Sequence, residues 1–267
     1  MNAGTTADIL ADLIAFPTVS REPNRALIDY CAAMLGDAGI DSRIIENDDG
    51  SRANLFATIG PADRPGVMLS GHTDVVPVDG QSWTRPPFRA STEDGRIYGR
   101  GTADMKGFVA AALMAAQEAA GRDLATPLHL ALSYDEEIGC VGVRSLIDML
   151  AAAPIQPLMC IVGEPTGMAI ATGHKGKTAI EARCIGSEAH SSLAPTAVNA
   201  IHLACDLIAE IRAVQDDLAR NGFRDEAYDV PYTTLHAGLI DGGVALNIVP
   251  GTARVTFEIR NIPADDP

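Results

Sequence analysis

The sequence predicts an α/β fold with a mostly parallel sheet, followed by a smaller α+β domain. Three observations lead there. Short apolar runs alternate with helical patterns over roughly the first 175 residues, the arrangement expected of strand–helix–strand crossovers. Three of those runs end abruptly in His, Asp or Glu. Near Gly173 the pattern changes to alternating strands around one long helix, which suits a sheet with one wet face.

Taken in order, helical spacing opens the chain at Thr6–Phe16 and Arg25–Ala38, and β patterns follow at Ser42–Glu46 and Asn54–Ile59. Gly66–Ser70 is a continuous apolar run and reads as a buried central strand. Pro77–Gly101 is a long polar loop with Pro, Gly and Trp83, of a length that is usually functional. Met105–Ala119 is an Ala-rich helix, Pro127–Ser133 a strand, Val141–Ala152 a helix and Leu158–Val162 a strand. Beyond them, Thr178–Ile185 alternates, Ala197–Arg220 is a long helix, and Tyr232–Leu239 and Ala253–Ile259 are strands. The expected division is 1–175 and 176–267. The second part reads β-α-β-β and lacks the second helix and edge strand of a split βαβ sandwich. Ala264–Pro267 resembles the N-cap of a further helix, so the expectation is an N-terminal portion of a longer protein.

Composition narrows the functional classes. The chain has 267 residues, 47% hydrophobic and 21% charged, enough for one large domain or two ordinary ones. Disorder, a collagen repeat and a disulfide-stapled miniprotein are excluded. A net charge of -15 repels phosphate backbones and anionic lipid, so neither nucleic acid nor a membrane is expected as a partner. Cys31, Cys140, Cys160, Cys184 and Cys205 form no CxxC pair and read as reduced core residues of a cytoplasmic protein. The first twenty residues lack a basic n-region and carry Asp8 and Asp12, so they read as an amphipathic helix rather than a signal peptide. No apolar stretch approaches a membrane span.

The chemistry lies in where the acids stand. His72 and Asp74 follow one apolar strand, Asp135, Glu136 and Glu137 follow another, and Glu164 follows a third, while Asp104 opens the Met105 helix. In open α/β sheets, ligands bind at the carboxyl ends of strands. Carboxylates gathered there repel unless protonated, paired with a base or bridged by a cation. Imidazole and carboxylate together suit a divalent metal, with His72, Asp104, Glu137 and Glu164 as ligands and Glu136 free to act as base. Two metals sharing Asp104 would account for so many acids. Plainer readings stand beside this: Asp104 as a helix cap, Asp135–Glu137 as an exposed turn, Glu164 as a loop acid, His72 as a satisfied core histidine and Asp74 as a turn acid. Other motifs fail. Gly99-Arg-Gly101 lacks the third glycine of a dinucleotide loop, and no Walker A, HExxH or GxSxG sequence occurs. Ser191 and Ser192 beside His190 are unlikely nucleophiles on a strand, where neighbours point apart.

SGHTDVVPVDG (Ser70–Gly80), YGRGTADMKGF (Tyr98–Phe108), SYDEEIGCVGVRSL (Ser133–Leu146), GEPT (Gly163–Thr166) and GHKGK (Gly173–Lys177) together resemble the dizinc deacylase and carboxypeptidase (aminoacylase-like) metallohydrolase family. With the Val230–Pro250 and Phe257–Pro267 segments, the chain is similar to the acetylornithine deacetylase branch. The resemblance implies a metallohydrolase domain with an inserted ferredoxin-like lid or dimerisation domain, here truncated. It implies two Zn²⁺, with Co²⁺ as substitute, one on His72, Asp104 and Glu164, the other on Asp104, Glu137 and a histidine that none of the six supplies. Asp74 would orient His72, and Glu136 would be the general base. His190 would serve the partner subunit's site in a homodimer and stabilise an oxyanion. Asn247 and Arg260 would bind the substrate carboxylate. The implied reaction is deacetylation of N2-acetyl-L-ornithine to L-ornithine and acetate, a step of arginine biosynthesis. A desuccinylase, a dipeptidase or carboxypeptidase, and a non-catalytic metal-binding fragment are the alternatives.

Overall fold

The computed structural model describes residues 4–266 and divides into two compact units, Met1–Ala169 and Ile170–Pro267. The first unit is mixed α/β. Helix α1 (Thr6–Ala15) begins at Thr5, whose hydroxyl accepts the Asp8 N–H while the Asp8 carboxylate accepts the Thr5 N–H. That reciprocal cap satisfies two amides that helical geometry leaves unpaired. The helix buries Ile9, Leu10, Leu13 and Ile14 along one stripe. Helix α2 (Arg25–Asp37) buries Leu27, Ile28, Cys31 and Leu35 in the same way. Helix α3 (Gly107–Ala120) contributes Val109, Ala110, Leu113 and Ala116.

These three helices join one core with the alternate residues Leu55, Ala57 and Ile59 of β2 (Ala53–Ile59) and Leu130 and Leu132 of β6 (Leu128–Ser133). The remaining strands of this sheet are β1 (Ser42–Glu46), β3 (Val67–His72) and β7 (Met159–Val162), in the order β1-β2-β6-β3-β7. Helix α4 (Arg144–Ala151) lies between β6 and β7 in sequence.

The sheet corrects the expectation of a mostly parallel arrangement. Strands β6, β3 and β7 are parallel, but β1 pairs antiparallel with β2, and β2 antiparallel with β6. The cause is the short turn joining β1 to β2, where Asn47 and Arg52 exchange hydrogen bonds. A turn of that length makes a hairpin, whereas a parallel pair needs a long crossover. The Gly66–Ser70 run is also not the central strand. That place belongs to β6, where Leu130, Ala131 and Leu132 are fully buried, while Val67–Ser70 are half-buried. An apolar run records burial of a strand but not its rank in the sheet. The long loop before Gly101 contains a small antiparallel hairpin, β4 (Ser91–Glu93) with β5 (Arg96–Tyr98).

The second unit is an antiparallel sheet, β8 (Thr178–Ile185), β10 (Thr252–Arg260) and β9 (Thr234–Gly242), in the order β8-β10-β9. Helix α5 (Ala200–Asn221) starts at Asn199, whose side chain accepts the Ile201 and His202 N–H groups, and packs Ala200, Ala204 and Ile211 on Ala253 and Val255. The helix starts three residues after the expected Ala197, because the Asn199 side chain caps it, and residues 191–196 before it form a tight 3₁₀ turn. All five cysteines are free, but only Cys31 is buried; Cys140, Cys160 and Cys205 are exposed. Cys160 lies on β7, an edge strand whose four residues are all exposed. No described helix is long and apolar enough to cross a membrane.

Leu130 is fully buried against α1–α3. Leu130→Ala should therefore lower the stability of the first unit by about 2–5 kcal/mol, read as a reduced urea midpoint. A change within about 0.5 kcal/mol, typical of surface positions, would show that the sheet does not pack as described.

Candidate metal centre

Strand β3 lies between β6 and β7, and all three run the same way. Their carboxyl ends are therefore neighbours, and the residues just beyond them face a common space. His72 ends β3, Glu136 and Glu137 follow β6, and Glu164 follows β7. Close approach is secured by glycine at Gly163, where a Cβ would sit 1.9 Å from the Phe108 ring.

Asp104 comes from another element. It stands in a wide, distorted turn, 102–106, with φ -125° and ψ 98°, outside the helical range. Helix α3 begins after it and has no side-chain cap, so Asp104 is not a capping residue. The turn starts at Gly101, with φ 76°, where a side chain would meet Val75 at 2.4 Å. It is held from below by Lys106, a fully buried lysine whose Nζ donates to the carbonyls of Leu13 (2.9 Å) and Phe16 (2.7 Å) at the end of α1. Burial pushes the Lys106 amine down to about 7, against the smaller opposing pull of Cys31 and Asp74.

His72 is the hub. Its ring is 2% exposed, with Nδ1 2.9 Å from the Asp74 carbonyl and 3.3 Å from the Asp74 carboxylate. Nε2 faces Asp104 at 3.0 Å, Glu164 at 3.6 Å and Glu136 at 3.8 Å. Burial depresses the His72 pKa, but the hydrogen bond to Asp74 and the charges of Asp74, Glu136 and Glu164 outweigh it, leaving the imidazole at about 9. Burial also acts on Asp74, upward, yet His72, Ser20 and the Glu136 amide hold its carboxyl below the usual range. Glu137 and Glu164 are raised, first by burial; Asp104 adds to both through its charge.

Asp74 also builds the acid loop. Its two oxygens accept the N–H groups of Glu136 (3.0 Å) and Glu137 (3.3 Å) and the hydroxyl of Ser20 (2.7 Å). Glu136 keeps one oxygen toward His72, while the other lies 3.4 Å from the Cys140 thiol. The sequence carries no signal for Ser20 or Cys140 as partners of this centre, whereas Lys106, a lone charge between Asp104 and an apolar helix, reads as a residue that shapes the site loop without a chemical role.

Two donor sets lie within 4.8 Å, His72–Glu136–Glu164 and His72–Asp104–Glu137. One imidazole and several carboxylate oxygens are the donor chemistry of Zn²⁺ and similar divalent ions. With Nδ1 occupied by Asp74, the other nitrogen is aimed at the carboxylates, the orientation a ligating histidine needs. The residues therefore fit a divalent cation.

The other candidate residues belong to the second unit. His190 is exposed and caps the 191–196 turn, its Nδ1 accepting the Ser192 N–H and lying 2.8 Å from the Ser192 hydroxyl. The two side chains meet because this is a turn and not the strand read from the sequence. Asn247 is exposed, and its carbonyl accepts the Ser191 N–H. Arg260 pairs with Glu258 on the same strand, 3.1 Å away.

The model of peptidase family M20/M25/M40 matches residues 68–261. The chain belongs to that family. Acetylornithine deacetylase of Pasteurella multocida (strain Pm70) is 36% identical over 259 residues, covering 94% of this chain and 66% of that protein. The chain thus spans about two thirds of the length of the curated relatives it matches. An M20 family metallo-carboxypeptidase of Sulfolobus solfataricus superposes with a TM-score of 0.80 at 22% identity, covering 99% of this chain and 73% of that one. A dinuclear metal-binding M20 peptidase of Bacillus subtilis gives a TM-score of 0.58 at 15% identity over 96% of this chain and 63% of that one. Likenesses at those identities establish the fold.

The His72 pKa fixes a pH dependence for the metal-free M20 chain. It is raised from 6.5 to about 9 on folding, so the folded state holds the proton more tightly. The resulting stabilisation is complete below about pH 6.5, declines as pH rises, and is gone above about 9. Lys106 acts with opposite sign over part of this window, because its pKa falls on folding. The test is therefore an imidazole titration by NMR, with the urea midpoint of His72→Gln compared against the parent. A His72 signal titrating near 6.5 would show that Asp74, Glu136 and Glu164 do not hold the imidazole up.

Proposed function

We propose that this chain carries the metal centre of an amide hydrolase that removes the acetyl group from N2-acetyl-L-ornithine, giving L-ornithine and acetate. The observation that carries the reading is the convergence of His72, Glu136, Glu137 and Glu164 at neighbouring strand ends with Asp104 of the 102–106 turn. The acyl substrate is taken from the deacetylase relatives, which match over nearly the whole chain.

In this reading, His72, Asp104 and Glu164 would hold one Zn²⁺, while Asp104 and Glu137 would contribute to a second, with Co²⁺ as a substitute. Asp104 lies 3.0 Å from His72 Nε2 and forms a donor set with His72 and Glu137, while Glu164 falls in a set with His72 and Glu136; motif register supports the sharing of Asp104 between the two cations. Bound cations of this kind supply Lewis-acid polarisation of an amide carbonyl and lower the pKa of the attacking water.

The chain's own residues would do the rest. Asp74 fixes His72 through Nδ1 and fixes Glu136 through its backbone amide. Glu136 has an oxygen facing the cluster and is positioned to take the proton from the water. The same carboxyl then delivers it to the departing amine, so no covalent intermediate is required. His190 would stabilise the oxyanion in a partner subunit of a homodimer, and Asn247 and Arg260 would bind the substrate carboxylate. Motif register supports these three roles, and Arg260 would first have to leave Glu258.

Acetate release from N2-acetyl-L-ornithine should require metal, stop with chelator and return with added Zn²⁺ or Co²⁺. N-succinyl-diaminopimelate and a dipeptide, run alongside, should be turned over more slowly. A faster reaction on either would replace the substrate assignment, and no metal-dependent hydrolysis of any of them would end the reading. Glu136→Gln should lower kcat by about 10²–10⁴ with metal content unchanged. Retained turnover would remove Glu136 from the base role.

A further inference from the structure

Asp135, first of three consecutive acids, does not share the fate of its neighbours. Glu136 and Glu137 are half-exposed and face the cluster, whereas Asp135 is 2% exposed. Its φ of 53° lies in the left-handed region, unusual for a residue with a side chain. Such a conformation persists where the surroundings over-determine it. Here they do. One Asp135 oxygen accepts the Arg21 N–H at 2.7 Å, and the other forms an ion pair with the Arg52 guanidinium. The Asp135 carbonyl accepts the Val141 N–H at 3.0 Å and closes the loop.

Arg52 is itself anchored. It ends the turn between β1 and β2, its N–H donates to Asn47 Oδ1 at 2.9 Å, and its guanidinium lies 5.6 Å from the Tyr134 ring centroid. Arg21 also has a left-handed φ, 75°, and follows Ser20, which donates to Asp74. The acid loop is thus fastened at two points. Asp74 holds the amides of Glu136 and Glu137, and Arg52 with the Arg21 amide holds the side chain of Asp135.

We infer that the Arg52–Asp135 ion pair, braced by the Arg21 amide, is a positioning device that sets the direction in which Glu136 and Glu137 face His72. Without Arg52 the buried carboxylate of Asp135 loses its counter-charge, and a buried charge without a partner turns toward water. The left-handed turn then relaxes and carries the next two residues with it. The naming of Glu136 as base and Glu137 as ligand rests on the proposed function; the clamp itself does not.

Two measurements on the 267-residue chain test this, with Arg52→Met, Arg52→Lys and Asp135→Asn. In metal-free protein, amide exchange at Glu136 and Glu137 should quicken at least tenfold in Arg52→Met and Asp135→Asn, with Leu130 in β6 unchanged. Arg52→Lys, which keeps the charge, should remain within about threefold of the parent. In Zn²⁺ titration, Arg52→Met should bind at least tenfold more weakly, and Arg52→Lys should restore affinity. Unchanged exchange at Glu136 and Glu137, or equal quickening at Leu130, overturns the inference, as does failure of lysine to rescue. Should Arg52→Met not fold, Asp135→Asn, which keeps an oxygen for the Arg21 amide, decides the matter. A parent protein that binds no Zn²⁺ refutes the metal reading, while exchange still judges the clamp.

Discussion

One buried imidazole stands among carboxylates that would otherwise repel, and the first unit is arranged around that fact. His72 turns one nitrogen to Asp74 and the other to Asp104, Glu136 and Glu164. Like charges in a half-buried space call for protonation or a compensating positive group. In this chain, against burial, the hydrogen bond and charge of Asp74, with Glu136 and Glu164, hold the His72 imidazole up at about 9, and burial together with Asp104 pushes the Glu137 and Glu164 carboxyls above their usual range. The same demand makes the site receptive to a divalent cation, because a cation satisfies several carboxylates at once.

The scaffold serves this arrangement through backbone as much as side chain. β3 has parallel neighbours on both sides, so three chain ends are delivered to one place. The core of α1–α3 packs against β2 and β6 of that sheet. Polar fasteners then join the loops above it. Thr18 donates to the Thr73 carbonyl, Ser20 to Asp74, and the Arg21 amide to Asp135, so one short segment after α1 is tied to both acidic loops. Lys106 ties the Asp104 turn to the end of the same helix, where its amine donates to carbonyls at the negative end of the helix dipole. A first helix of unremarkable sequence is thereby made part of the centre.

Membership of the M20/M25/M40 peptidase family and the donor set point the same way, toward hydrolysis assisted by divalent metal. They differ in resolution. The family match speaks to fold and general chemistry, while the choice among acyl groups rests on relatives that share about a third of their residues with this chain.

The sequence by itself determined the elements and the chemistry at their ends. Period-3.6 stripes gave α1–α3, and apolar runs closing on His72, Asp135–Glu137 and Glu164 located the donors, since burial of one face and polarity at a strand end are written locally. It did not determine that β6 rather than β3 is central, that half the pairings of the sheet are antiparallel, or that Asp135 turns from its neighbours to Arg52. Nor did it reveal that Lys106 is buried or that Asp74 holds the loop of Glu136. Apart from the β1–β2 hairpin, these are outcomes of contacts between residues far apart in sequence, such as Asp74 with Glu136, 62 positions apart, and Lys106 with Leu13, 93 apart. Periodicity reports which face of an element is covered. Which partner covers it is decided only when the folded chain satisfies its buried hydrogen-bonding groups together.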